Sequence, residues 1–338
     1  MDAIEGVFRR TDVRLQDGAV LPEVRIAYVT QGRLAPGGGN AILLTHGFTS
    51  SHYFAVGGAG ASEGAWGALV GPGKAVDTDR MFVVSSNMLG SSFGSTGPAS
   101  IDARTGRPYG PDFPDITVSD IVAQQRALLE HLGVTHLHAV VGPSYGGFQA
   151  FQWAVDHPGF MDRVAPIVTS LHPSADLGSV ARMIETFAAN PAWNGGHHYG
   201  DPRMAETMTD LRVRTLKGYG LEADLTPRFP DPAAREAEIR RIAAEWGRVF
   251  DPNSLIALRK ASLRYDVRPK LNRITARVLF VLSRTDALFP PSLRDPTMAA
   301  LKEAGVWAEY FEIDSDRGHL ASGLDAEKWA PVLRAFLA

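Results

Sequence analysis

Ser144, Asp286 and His319 are the three side chains of this 338-residue sequence whose types and chain order suit the movement of an acyl group. A serine hydroxyl is a weak nucleophile at neutral pH. It needs a base to take its proton and an acid to orient that base. Ser144 lies in Gly142-Pro143-Ser144-Tyr145-Gly146, between an apolar run and a segment of helical periodicity, and Gly147 adds room behind it. A tight strand-to-helix turn of this kind lifts a hydroxyl above a sheet, and small residues on both sides let the backbone close. The same G-x-S-x-G spacing recurs at Gly60–Gly64, in a flexible Gly/Ala run, and at Gly90–Gly94. Neither opens a helix, and Ser95-Thr96-Gly97-Pro98 after the latter cannot start one. Context, not the pattern, selects Ser144.

The partners follow from position. Asp286 comes shortly after the apolar run Val278–Leu282, and His319 shortly after Ala308–Ile313. In a parallel sheet both would leave at the edge where Ser144 stands. Asp314 and Asp316 are nearer in sequence to His319 but share its loop, which is too local for the usual arrangement. Among the other histidines, His131, His136 and His138 flank a helix end and a strand start. His157 closes a helix, and His197-His198 reads as a polar loop. None has carboxylates at ligand spacing, so no metal site is expected. The developing oxyanion needs two N–H donors. Tyr145 would supply one at the positive end of its helix. The loop His46-Gly47-Phe48-Thr49 would supply the other, from Phe48 first or else Gly47.

Several alternatives are excluded by composition. There is no cysteine, hence no thiolate nucleophile, thiolate metal site or disulfide. Gly67–Lys74 is one residue too long for a phosphate loop, and no Ser or Thr follows Lys74. No cofactor is expected. A net charge of −3 with scattered Lys and Arg gives no case for a nucleic-acid or membrane partner. No apolar stretch approaches a membrane span, and the first ten residues lack an apolar leader core. A cytoplasmic protein acting on a small molecule is expected.

The elements that must position these groups are short and regularly spaced. A hairpin is predicted up to Arg25–Thr30, with strands at Ala41–Thr45, Met81–Ser85, Leu137–Val141, Val164–Val168, Val278–Leu282 and Ala308–Ile313. Most are apolar throughout, as strands covered on both faces are. Helices are expected at Val118–Leu132, Gly146–Asp156, Pro296–Glu303 and Ala326–Leu337. This alternation predicts an α/β fold with a doubly wound, mostly parallel sheet. Residues 172–271 break the rhythm with helical pieces at Leu177–Ala189, Pro202–Lys217, Pro232–Val249 and Pro252–Arg264. The expected organisation is therefore a core of residues 1–171 and 272–338 with a helical cap at 172–271, lying over the strand ends.

Longer stretches strengthen the picture. Leu69–Arg80, Ser86–Pro98, Thr105–Pro114, Asp251–Ser254, Asp286–Pro291 and Glu312–His319 together resemble the homoserine O-acetyltransferase family of the α/β-hydrolase superfamily. The resemblance implies the α/β-hydrolase fold, a Ser144–Asp286–His319 triad, and a homodimer formed through the cap. It also implies an Arg on the first cap helix that meets a substrate carboxylate, for which Arg182 is the candidate. It breaks after the histidine. Family members carry an Asp there to hold the homoserine amine, whereas this sequence has Leu320. A carboxylate that pairs an ammonium in a closed site has no substitute in a leucine. Pro143 and Tyr145 also depart from the family's Gly and Met, Tyr145 placing a hydroxyl at the pocket floor. Gly47, Arg182 and Leu320 are thus the expected substrate-binding residues of an altered site. The first reading is an esterase forming an acyl-Ser144 intermediate. The second is an acyltransferase using acetyl-CoA as co-substrate with a hydroxyl acceptor other than homoserine. A non-catalytic binding protein on the same fold is a remote third.

Overall fold

The computed structural model describes residues 3–56, 65–173 and 176–338. Eight strands form the main sheet: β1 (Ile4–Arg14), β2 (Val20–Gln31), β3 (Ala41–Thr45), β4 (Phe82–Ser86), β5 (Leu137–Pro143), β6 (Met161–Ile167), β7 (Arg277–Ser283) and β8 (Ala308–Ile313). Their order is β1-β2-β4-β3-β5-β6-β7-β8. The opening hairpin and the β2–β4 pair are antiparallel; every later neighbour is parallel. β3 and β4 are buried at every position, which is why their runs read as continuously apolar rather than alternating.

Two helices that frame the centre explain their own boundaries. Helix α1 (Val118–His131) starts at a capping box, where Thr117 Oγ1 accepts from the Asp120 N–H and Asp120 accepts from the Thr117 N–H. Helix α2 (Tyr145–Asp156) is buried from Tyr145 to Val155, and only Asp156 at its end is half-buried. The two meet through Gln125, which donates to Gln149 at 2.7 Å and accepts from Trp153 Nε1 at 2.7 Å, so the buried amides are paired.

Between β6 and β7 the chain forms helices α3 (Ser179–Ala188), α4 (Met204–Gly218), α5 (Pro232–Gly247) and α6 (Pro252–Leu263). Asp231 and Asp251 cap α5 and α6, each followed by a proline at the first helical position, where no N–H is needed. Phe187, Trp193, Met204, Met208, Trp246 and Phe250 form a cluster of their own here. Helix α6 straddles two cores: Leu255 and Ile256 join that cluster, while Leu258 and Ala261 join the one beneath the sheet.

After β7 come α7 (Arg294–Glu303) and, at the C-terminus, α8 (Ala330–Leu337). The continuous helix expected over Ala326–Leu337 is divided into a 3-10 turn, Ala326–Lys328, and α8, with Trp329 at φ −130° between them. Pro331 explains the break, since its ring would meet the carbonyl four residues back if the first turn ran on. No helix among the described residues is long and apolar enough to cross a membrane.

Candidate active site

Strand register delivers the expected residues to one edge. Pro143 is level with Ile167, Ile167 with Val281, and Ser283 with Ile313. Ser144, Asp286 and His319 therefore leave the sheet on the same side. Ser144 sits at φ 57°, ψ −120°, outside the space a non-glycine residue normally occupies. A conformation of that kind costs about 1–3 kcal/mol and survives only where neighbours hold it. They do: the Ser144 N–H donates to the Ile167 carbonyl at 2.8 Å, and Thr169 Oγ1 donates to the Ser144 carbonyl at 2.9 Å. The flanking glycines are obligatory. A Cβ on Gly142 or Gly146 would run into Thr45, and one on Gly147 into the Thr169 side chain.

Asp286 and His319 are buried together, with His319 Nδ1 at 2.8 Å from Asp286 Oδ2. The second carboxylate oxygen accepts the Leu288 and Phe289 N–H groups at 2.8 and 3.2 Å. The acid is thus oriented from both sides, which fixes the ring so that Nε2 is the free base. The Gly318 N–H donates to Thr285 Oγ1 at 3.1 Å, tying the two loops together. Ser144 Oγ makes no hydrogen bond to His319 among the described residues. In this chemistry that link often closes only around substrate. Asp314 and Asp316 are exposed and pair with Arg284.

Phe48, Ser144, Tyr145, Tyr219, Arg259 and Phe289 line a cavity at this edge. His319 packs against two of its walls, 5.0 Å from the Tyr219 ring and 5.7 Å from the Phe289 ring. The Phe48 and Tyr145 rings stack at 5.7 Å. No backbone bond among the described residues uses either N–H. The Tyr145 hydroxyl, expected at the pocket floor, instead donates to the Leu258 carbonyl at 3.1 Å, and burial pushes its ionisation up.

The expected substrate-binding residues Arg182, Gly47 and Leu320 are not among the described residues that line the cavity. Arg182 is exposed and grips Asp176 with contacts of 2.8 and 2.9 Å. Position on α3 says nothing of which way the side chain turns. Gly47 and Leu320 are buried and do not line the cavity. Two other arginines were missed. Arg212 is 1% exposed, donates to Thr49 Oγ1 at 2.9 Å and lies 5.0 Å over the Trp246 ring. Its signal was available: Met204, Met208, Arg212 and Leu216 recur every four residues and form the buried face of α4. Arg259 is the other, one turn beyond Leu255 on α6. The loop reading of His197-His198 also changes, because His198 is buried, stacked at 13° on Trp193.

The two other serine turns separate cleanly from the site. Gly60–Gly64 lies outside the described residues. Gly90–Gly94 opens no helix, and Ser92 Oγ accepts the Asp251 N–H at 2.9 Å. Asp251 is a structural tie: it accepts from Tyr199 Oη at 3.0 Å, while Asn253 donates to the Gly196 carbonyl at 2.8 Å. Burial pushes the Asp251 carboxyl up to about 6.

The sequence matches the family described as alpha/beta hydrolase fold over residues 40–326. It is 36% identical to a homoserine O-acetyltransferase of Haemophilus influenzae, covering 98% of each chain. This chain belongs to the homoserine O-acetyltransferase family of the α/β-hydrolase fold. Within the family it is also 36% identical to a serine O-succinyltransferase of Litchfieldella anticariensis, over 96% of each chain. Among solved structures it resembles esterase E22, with a TM-score of 0.89 at 26% identity and full coverage of both chains. A homoserine O-acetyltransferase from Bacillus anthracis superposes with a TM-score of 0.88 at 26% identity, covering 100% of this chain and 98% of the other. The members named are acyltransferases and the structural neighbours include esterases, so the chain is an acyl-transfer enzyme of this superfamily.

Proposed function

We propose that the protein is a serine esterase acting through an acyl-Ser144 intermediate. The observation that carries the reading is the Asp286–His319 pair, buried at 2.8 Å, at the same sheet edge as the strained Ser144 turn. Ser144 Oγ attacks the ester carbonyl while His319 Nε2 takes its proton. The tetrahedral oxyanion is held by the Phe48 and Tyr145 N–H groups. Its collapse breaks the bond to the alcohol, which leaves with the proton from His319. Water, deprotonated in turn by His319, attacks the acyl-serine, and collapse returns the proton to Ser144 and frees the acid.

Hydrolysis is favoured over transfer by Leu320. Where the family resemblance calls for a carboxylate beside the amine of the acceptor, this chain places a buried leucine. The overall match to an esterase structure supports the same direction. The second reading is transfer from acetyl-CoA to another hydroxyl compound, favoured by the transferase relatives at 35–36% identity. Exclusion of water decides between them. Purified protein should release acid from short-chain aryl esters at a rate indifferent to a panel of alcohols. No turnover of any such ester, or acylated alcohol formed from acetyl-CoA at the expense of hydrolysis, would replace this reading with the second. No bound cofactor enters either scheme. We place the enzyme in the cytoplasm as a homodimer joined through the helical segment. Light scattering on the purified protein tests the assembly.

A further inference from the structure

Arg259 stands in the wall of the cavity that holds Ser144, beside Tyr145 and Tyr219. Among the described residues it forms no ion pair, its side chain makes no hydrogen bond, and its Nε is buried without a partner. Its guanidinium lies over the face of Phe48, with Cζ 5.1 Å from the ring centroid. That is a cation–π contact of the modest kind, which leaves the guanidinium fork unused. Asp176, the carboxylate acting on it through space, already has both oxygens on Arg182. Burial opposes its charge. Nε is sealed from water while the two terminal nitrogens keep solvent access and no protein partner, so an entering anion would find their donors unspent.

We infer that Arg259 is a specificity-determining residue that binds a carboxylate of the substrate, so the ester taken by this cavity carries a negative charge. The inference rests on the esterase reading for the position of the reacting carbonyl at Ser144. Arg259 and Ser144 border one cavity, and Phe48 links them: its ring faces Arg259 and stacks on Tyr145, the residue after Ser144. A substrate a few bonds long, with an ester at one end and a carboxylate at the other, satisfies both. The carboxylate can belong to the acyl chain, as in a half-ester of a dicarboxylic acid, or to the alcohol, as in an acylated hydroxy acid.

Both sources are tested on the full-length enzyme by acid release. Monomethyl succinate against methyl 4-methylpentanoate probes the acyl side. The acetyl ester of 3-hydroxypropanoate against 3-methylbutyl acetate probes the alcohol side. The wild type should favour the charged ester on one arm by about tenfold or more in kcat/KM, and that arm assigns the side. Arg259→Gln should erase the preference through KM, and Arg259→Lys should restore part of it, keeping charge without the fork. A preference absent on both arms, or undiminished in Arg259→Gln, overturns the inference. Calorimetric titration of succinate into the wild type and Arg259→Gln decides the point if no ester turns over or the variant is unstable. Binding lost with the arginine supports the inference, and no binding to the wild type overturns it. Failure of the esterase reading shows differently, as turnover that survives Ser144→Ala.

Discussion

The strand-end loops and the inserted helices are built from the same kinds of residue, yet they expose their chemistry in opposite ways. At the strand ends the backbone does the placing. Ser144 is held by a glycine-bounded turn that no other residue types would close, and Asp286 and His319 lie three and six positions past the ends of parallel strands. Each side chain has little freedom to be elsewhere. In the helices the backbone leaves orientation open, and packing decides it. Arg182, Arg212 and Arg259 all sit on helices of this segment. One is on the surface, one is sealed under Trp246, and one faces the cavity.

The contrast can be broken most sharply at the strand ends. Ser144→Ala should lower kcat by about 10⁴-fold or more, and Asp286→Asn by about 10³–10⁴-fold, both without loss of fold. Steady-state kinetics beside thermal melts would show it, and a Ser144→Ala enzyme with undiminished turnover would remove the catalytic account. The helical segment should answer in stability instead. Phe187→Ala opens a cavity in a cluster that meets the site only through the Phe48 ring, and should cost about 3–5 kcal/mol in denaturant unfolding. If it lowers the rate per folded molecule as much as Asp286→Asn does, the division between the regions is false.

Acid should probe the strand-end side again. Burial holds His46 and His52 down to about 4, below the usual histidine value of 6.5. The unfolded chain therefore binds more protons than the folded one between those values. Stability is full above pH 6.5 and falls as pH drops toward 4, by on the order of 2 kcal/mol or more. Asp251, raised to about 6, acts the other way, binding its proton first in the folded state. Melting temperatures across pH 4–7 should fall toward acid, and His52→Phe should flatten the fall. The smallest effect belongs to Arg182→Ala. An exposed ion pair contributes about 0–1 kcal/mol, so neither melting nor kcat/KM should change by more than about twofold equivalents. A large loss would restore Arg182 to the binding site.

Most of the sheet was legible from residue type alone. Ala41–Thr45 and Ala308–Ile313 are strands with the bounds read from sequence: the first is a buried parallel strand with an uninterrupted apolar run, the second a half-exposed edge strand marked by its β-branched and aromatic residues between turns. The other strands shift by up to five residues, as pairing with neighbours extends β2 back to Val20 and β6 back to Met161. The C-terminal helix was read as one because its periodicity spans Pro331, whose effect is local and steric rather than periodic.

What the sequence determined by itself was the nucleophile turn, the order of its partners and the fold that aligns them. Those depend on local sterics and on strands that must be buried, both of which are written in neighbouring residues. The tertiary structure alone decided which arginine is free to meet a substrate. A guanidinium on a long flexible stem can turn to solvent, to an indole or to a cavity from the same helical register, and only the packing of four helices against one another selects among them.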